Sequence, residues 1–175
     1  NVSNLKVGDR VCIERGVPDI NSKEYIKGFY NLDPKLTFWA TPPDHGCLTP
    51  EVVFPSNFVF KLPENVSYAE GAMIEPLAVG LQAAEKAKII PGETALVMGC
   101  GPIGLVIALT ALAGGCSKVF IADIVGKKLE MCKYYKNLIP IDLNKENTAA
   151  TVKKNTNNWG ANIIFEASGA TKAYD

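Results

Sequence analysis

Apolar and polar positions follow two different rhythms along the chain, and the change falls near residue 70. Before it, short apolar runs at Arg10–Glu14, Glu51–Pro55 and Phe58–Leu62 stand among dense turn formers, including Pro18, Pro34, Pro42, Pro43, Pro50, Pro55 and Pro63. Short runs between closely spaced turn residues predict an irregular β region. Beyond residue 70, helical spacing and strong helix formers predict a helix over Ala78–Lys88. Pro76 suits its first turn, where the missing N–H costs nothing. The remainder alternates. Strands are predicted at Thr94–Met98, Val119–Ala122, Leu138–Ile141 and Ile163–Phe165, and helices at Pro102–Ala113, Gly126–Tyr135 and Glu146–Asn155. The Pro102–Ala113 segment is apolar on nearly every face, so it should be buried on several sides. Strands apolar on both faces, alternating with helices, predict an α/β fold with a parallel sheet covered on both sides.

Charge narrows the function classes. The 175 residues hold 18 Lys+Arg and 18 Asp+Glu, a formal net charge of zero. With no Lys or Arg run, no footprint for nucleic acid is expected. The longest apolar candidate, Ile103 to Ala113, falls short of the ~18–20 residues that span a bilayer. No targeting segment is visible. The five cysteines are odd in number and none pair as C-x-x-C, which fits a reducing, cytoplasmic setting. The chain opens at Asn1 and stops soon after Ile163-Ile164-Phe165, and reads as a segment of a longer protein.

The sharpest chemistry is Gly99-Cys100-Gly101-Pro102-Ile103-Gly104, a G-x-G-x-x-G pattern after a predicted strand and opening a predicted helix. Gly99 permits the tight turn, Gly101 lets the backbone approach a pyrophosphate, and Gly104 lets helix and strand pack closely. N–H groups at the helix start then face phosphate charge. Pro102 and Ile103 share this loop. Asp123 ends the second predicted strand, 19 residues after Gly104. A carboxylate there accepts bonds from ribose hydroxyls and repels a 2′-phosphate, so NAD is expected over NADP. Lys127 and Lys128 weaken that exclusion slightly, and Lys128 joins the candidate cofactor-binding residues. Ser168-Gly169-Ala170 follows the fourth strand, where strand ends face the ligand crevice, and Ser168 is a secondary cofactor candidate. His45 reads as an exposed loop histidine with no second ligand. Trp39 and Trp159 read as packing residues. The Cys100 side chain reads as inert for want of a cationic neighbour.

Several motifs occur together in one family. Val7-Gly8-Asp9-Arg10-Val11, Lys61-Leu62-Pro63-Glu64-Asn65-Val66-Ser67, Gly71-Ala72-Met73-Ile74-Glu75-Pro76-Leu77 and the glycine fingerprint stand in the order found in medium-chain dehydrogenase/reductases. Ala40-Thr41-Pro42-Pro43 and Ile74-Glu75-Pro76 resemble the polyol (sorbitol/xylitol) dehydrogenase branch. The stretch Gly28 to Glu51 looks most like the bacterial NAD-dependent xylitol dehydrogenases. The resemblance implies part of a GroES-like β-rich catalytic domain over residues 1–70, a connecting helix over 71–90, and a partial Rossmann NAD-binding domain over 91–175. It implies a zinc-assisted oxidoreductase that moves hydride between a polyol and NAD, with zinc as Lewis acid on the alcohol oxygen.

Glu75 matches the family's zinc-site glutamate, as a ligand or as partner of the metal-bound water and substrate, and is the candidate catalytic and metal residue. A carboxylate just before a helix N-terminus would also be favoured by the dipole. The family's other ligands, a Cys and a Gly-His-Glu, are not in this sequence. Between Val11 and Tyr30 only Cys12 stands where many members place four cysteines, so one catalytic zinc and no structural zinc are expected. A homotetramer or dimer is implied as well. The rival readings are a nucleotide-binding fragment or degenerate paralogue without catalysis, and a related zinc alcohol dehydrogenase acting on another secondary alcohol.

Overall fold

The computed structural model describes residues 2–173. The chain forms two compact units, Asn1–Met73 and Ile74–Asp175. The first carries β1 (Val11–Ile13), β2 (Gly16–Val17), the single-turn α1 (Lys23–Ile26), β3 (Thr37–Phe38) and β4 (Val59–Lys61). β1 pairs antiparallel with β4, and β2 with β3. Polar contacts fix the turns between these short strands. The Arg10 guanidinium lies 4.7 Å over the Tyr68 ring, donates to the Glu64 carbonyl at 3.2 Å and also reaches the Val66 carbonyl. Buried Asp33 accepts N–H bonds from Asp19 at 2.6 Å and Lys35 at 2.9 Å.

The run Glu51–Pro55 is not a strand. Val52 and Val53 are exposed, Pro55 has no N–H to give a ladder, and Phe54 instead meets Trp39 edge to face at 4.3 Å. A second departure concerns the helix expected at Ala78–Lys88. The observed α2 runs from Tyr68 to Ala87, with Pro76 in its interior. Its start is set by a capping box at Ser67-Tyr68-Ala69-Glu70. The Glu70 N–H donates to Ser67 Oγ at 3.2 Å, and the Ser67 N–H donates to Glu70 Oε2 at 2.7 Å. Those reciprocal bonds place the helix start upstream of the proline.

The second unit continues with β5 (Thr94–Met98), α3 (Pro102–Ala113), β6 (Lys118–Asp123), α4 (Gly126–Leu129), β7 (Leu138–Asp142), α5 (Thr148–Asn155) and β8 (Ile163–Glu166). The helix expected over Gly126–Tyr135 is α4 followed by a 3-10 stretch, Glu130–Tyr134. The strands form one parallel sheet in the order β7-β6-β5-β8. Numbered within the unit this is 3-2-1-4, the first part of the doubly wound Rossmann arrangement. Successive residues along the strands serve opposite faces. Ala95, Val97, Val119 and Ile121 pack with Ile107, Ala108 and Ala111 of α3. Leu96, Phe120 and Ala122 pack with Ile141 and with Val152 of α5. Both faces are therefore covered, as the apolar strands require. Trp159 departs from its packing assignment: it is 79% exposed on the segment after α5. Among the described residues no helix is long and apolar enough to cross a membrane.

Candidate functional site

The glycine loop joins β5 to α3 at the carboxyl end of the sheet. Gly99 adopts φ +100°, a region closed to most side chains, and a Cβ there would lie 2.8 Å from the Ser168 backbone. A Cβ on Gly104 would meet the Gly99 carbonyl oxygen at 1.9 Å, so helix and loop touch backbone to backbone. At Gly101 the reverse holds: a Cβ would meet nothing within 4 Å. That glycine is the N-cap of α3, makes no side-chain cap bond, and is followed by Pro102 at the first helical position. Ile103 and Gly104 complete the first turn, whose N–H groups form a ready anion site.

Asp123 closes this loop from the neighbouring strand. It is 8% exposed, and its Oδ2 accepts the Cys100 N–H at 2.8 Å while Oδ1 accepts the Val125 N–H at 2.8 Å. The Lys128 ammonium, on α4, stands 3.7 Å from Oδ2. Burial pushes this carboxyl up, but the N–H bonds of Val125 and Cys100 and the Lys128 charge outweigh it, and its pKa lies below the ordinary carboxylate value. Asp123 is thus an anion at neutral pH. A carboxylate has about four acceptor positions, so the two N–H bonds leave room for hydroxyl donors.

The Cys100 side chain points away from reactivity. Burial, with the Cys132 thiol and the Asp123 carboxylate adding to it, pushes its pKa up to about 12. Its Sγ reaches the Lys128 carbonyl at 3.5 Å and lies 4.0 Å from Cys132 Sγ.

The third wall is the turn after β8. Here Glu166, which the sequence pattern did not single out, organises Ser168. Glu166 Oε1 accepts the Ser168 N–H at 2.8 Å and the Ser168 hydroxyl, and Oε2 accepts the Gly169 N–H at 3.3 Å. The Ser168 hydroxyl bond, ahead of the N–H bonds, holds the Glu166 carboxyl below the ordinary range. The available signal was an acid at a strand end followed two residues later by serine.

The glycines, Pro102, Ile103, Asp123, Lys128 and Ser168 therefore all stand at the carboxyl ends of β5, β6 and β8 or on the helices that follow. Glu75 lies elsewhere. It is half-buried in the interior of α2, not ahead of a helix N-terminus, so the dipole argument does not apply to it. Among the described residues no three His, Cys, Asp or Glu side chains gather as a metal site. His45 is an exposed loop residue, and Cys12 and Cys47 are free thiols.

No family model matches the chain. It is 51% identical over 171 residues to a D-xylulose reductase of Morganella morganii, covering 97% of this chain and 50% of that protein. It is 41% identical over 175 residues to a sorbitol dehydrogenase of Arabidopsis thaliana, covering 98% of this chain and 48% of that one. Among solved structures, an oxidoreductase/dehydrogenase of unknown specificity from Escherichia coli superposes with a TM-score of 0.92 at 36% identity, over 99% of this chain and 50% of that one. A 2R,3R-butanediol dehydrogenase from Bacillus subtilis gives 0.86 at 31% identity, over 98% and 48%. The chain spans about half the length of the relatives it matches. With the glycine loop, Asp123 and the 3-2-1-4 sheet in place, the chain is similar over nearly its whole length to one half of a D-xylulose reductase and of a sorbitol dehydrogenase.

Proposed function

We propose that the protein to which this chain belongs is an NAD-dependent polyol dehydrogenase, interconverting a secondary alcohol of a xylitol- or sorbitol-type polyol and the ketose. The observation that carries the dinucleotide part is the Asp123–Cys100 bond: one carboxylate fixes the glycine loop and stays available beside it. The residues fit the cofactor. Space is open at Gly101 where a side chain would intrude, and the first turn of α3 offers N–H groups to a pyrophosphate. Asp123 accepts from ribose hydroxyls, and Lys128 offers a cation beside it. NAD, once bound, supplies the hydride acceptor; this chain's residues supply position and charge. The Asp123 charge disfavours a 2′-phosphate.

The zinc part rests on the similarity to polyol dehydrogenases. Glu75 is one carboxylate, and the described residues alone do not complete a site, so its further ligands are assigned to sequence outside this chain. A homo-oligomer, tetramer or dimer, and a cytoplasmic setting belong to the same proposal.

The test is NADH formation by the full-length protein with xylitol and sorbitol, before and after zinc chelation. Turnover with NAD that is lost on chelation and restored by zinc supports the reading. NADH binding without turnover on any polyol would leave the binding-module alternative.

A further inference from the structure

The turn after β8 holds a hydroxyl whose hydrogen-bonding sense is fixed by its neighbours. Ser168 is exposed, and its backbone lies 2.8 Å from where a Cβ on Gly99 would be. Its position is locked from the strand side, because the Ala167 N–H donates to the Met98 carbonyl at 2.8 Å. Its hydroxyl meets two groups. The Glu166 carboxylate is acceptor-only when ionised, so the hydroxyl proton goes there. The Ala170 N–H donates to Ser168 Oγ at 3.1 Å. The donor and one lone pair are therefore used, and one lone pair remains. The neighbouring N–H groups of Ser168 and Gly169 are also turned onto Glu166.

We propose that Glu166 is a positioning residue for cofactor binding: by taking the Ser168 proton it makes Ser168 a hydrogen-bond acceptor toward the dinucleotide, matched to a ribose hydroxyl and not to the pyrophosphate. A phosphate oxygen can only accept, and Ser168 has no proton left to offer it. The turn after β8 thus divides the work with the opposite side of the crevice. The α3 N-terminus offers donors to phosphate, while Ser168 and Asp123 offer acceptors to sugar. This inference rests on the dinucleotide reading above.

The experiment is an NADH fluorescence titration of the full-length protein at neutral pH, with a melt of the cofactor-free form alongside. Ser168→Ala should raise the Kd for NADH about 3–10-fold, the worth of one ordinary hydrogen bond, with melting unchanged. Ser168→Thr, which keeps the hydroxyl, should restore binding. Glu166→Ala, which leaves the hydroxyl proton no acceptor at this position, should weaken binding, and the double variant should be no weaker than the weaker single one, since the two act as one unit. Tighter binding by Glu166→Ala would mean that the freed proton serves a phosphate, and would overturn the proposal. So would additive losses or a Ser168→Ala variant that binds like wild type. Ser168 is exposed, so its variants test the idea even if Glu166→Ala fails to fold. No NADH binding by wild type would overturn the dinucleotide reading and this inference with it; wild-type binding with unchanged variants overturns this inference alone.

Discussion

The two units hold their shape by different physics. In Ile74–Asp175 most positions of the central strands β5 and β6 are buried, and residues such as Phe120, Ile121 and Ile141 are inaccessible. In Asn1–Met73, among the described residues, no large apolar side chain is fully buried: Leu62 comes nearest at 8% exposure, while Val7, Leu48 and Val53 are open to solvent. Order there comes from carboxylates on turns: Asp9 with Lys61 at 2.7 Å, Asp33 with two N–H groups, and Glu70 at the start of α2. A unit built on apolar area should respond to loss of volume. A unit built on anionic acceptors should respond to protons.

The largest expected effect lies in the apolar unit. Phe120→Ala removes a fully buried ring between the sheet and α5, and should cost about 3–5 kcal/mol in denaturant unfolding of the full-length protein. A loss below 1 kcal/mol would show that this core is not what holds the sheet.

A second effect separates Asp123's two jobs. Asp123→Ser shortens the side chain, so the Cys100 and Val125 N–H bonds and the charge are all disturbed. Asp123→Asn keeps one acceptor oxygen of similar reach, enough for one of the two N–H bonds, but loses the other acceptor and the charge. Both should narrow the preference for NADH over NADPH. Ser should in addition raise the Kd for both cofactors, by about tenfold for each ~1.4 kcal/mol lost. Undiminished NADH binding by both variants would mean that Asp123 does not hold the loop.

Acid should sharpen the contrast between the units. Asp9 is held below its ordinary value by Lys61, Asp33 by the Lys35 N–H, and Glu70 by the Ser67 N–H. Because the folded values are depressed, their stabilisation is complete above the ordinary values of 3.8 and 4.5 and is lost as pH falls through the folded ones. The Trp39 fluorescence of a Trp159→Phe variant should therefore change in acid before the far-ultraviolet signal of the sheet does. Simultaneous loss would erase the distinction. The smallest effect is Trp159→Phe itself: at 79% exposure it should alter stability by no more than about 0.5 kcal/mol.

The same physics decides what can be read from sequence. Apolar periodicity places β5 and α3 residue for residue, because those segments are fixed by burial. Glycine spacing and Asp123 follow from the demands of a tight turn beside a strand end. Elements fixed by local polar bonds are harder to read. The start of α2 depends on the Ser67–Glu70 exchange, which overrides Pro76 as a marker of the first turn. Glu51–Pro55 has strand-like residues but no ladder partner among the described residues. Glu166 escaped because its role lies in three short bonds to its own turn, which no periodicity announces.

The central claim is that the glycine loop and Asp123 together bind NAD in preference to NADP. Titrating the full-length protein with NADH and with NADPH by calorimetry tests it most directly. The account predicts that NADH binds at least about tenfold more tightly, a difference of ~1.4 kcal/mol. Equal affinities, or tighter binding of NADPH, would contradict it.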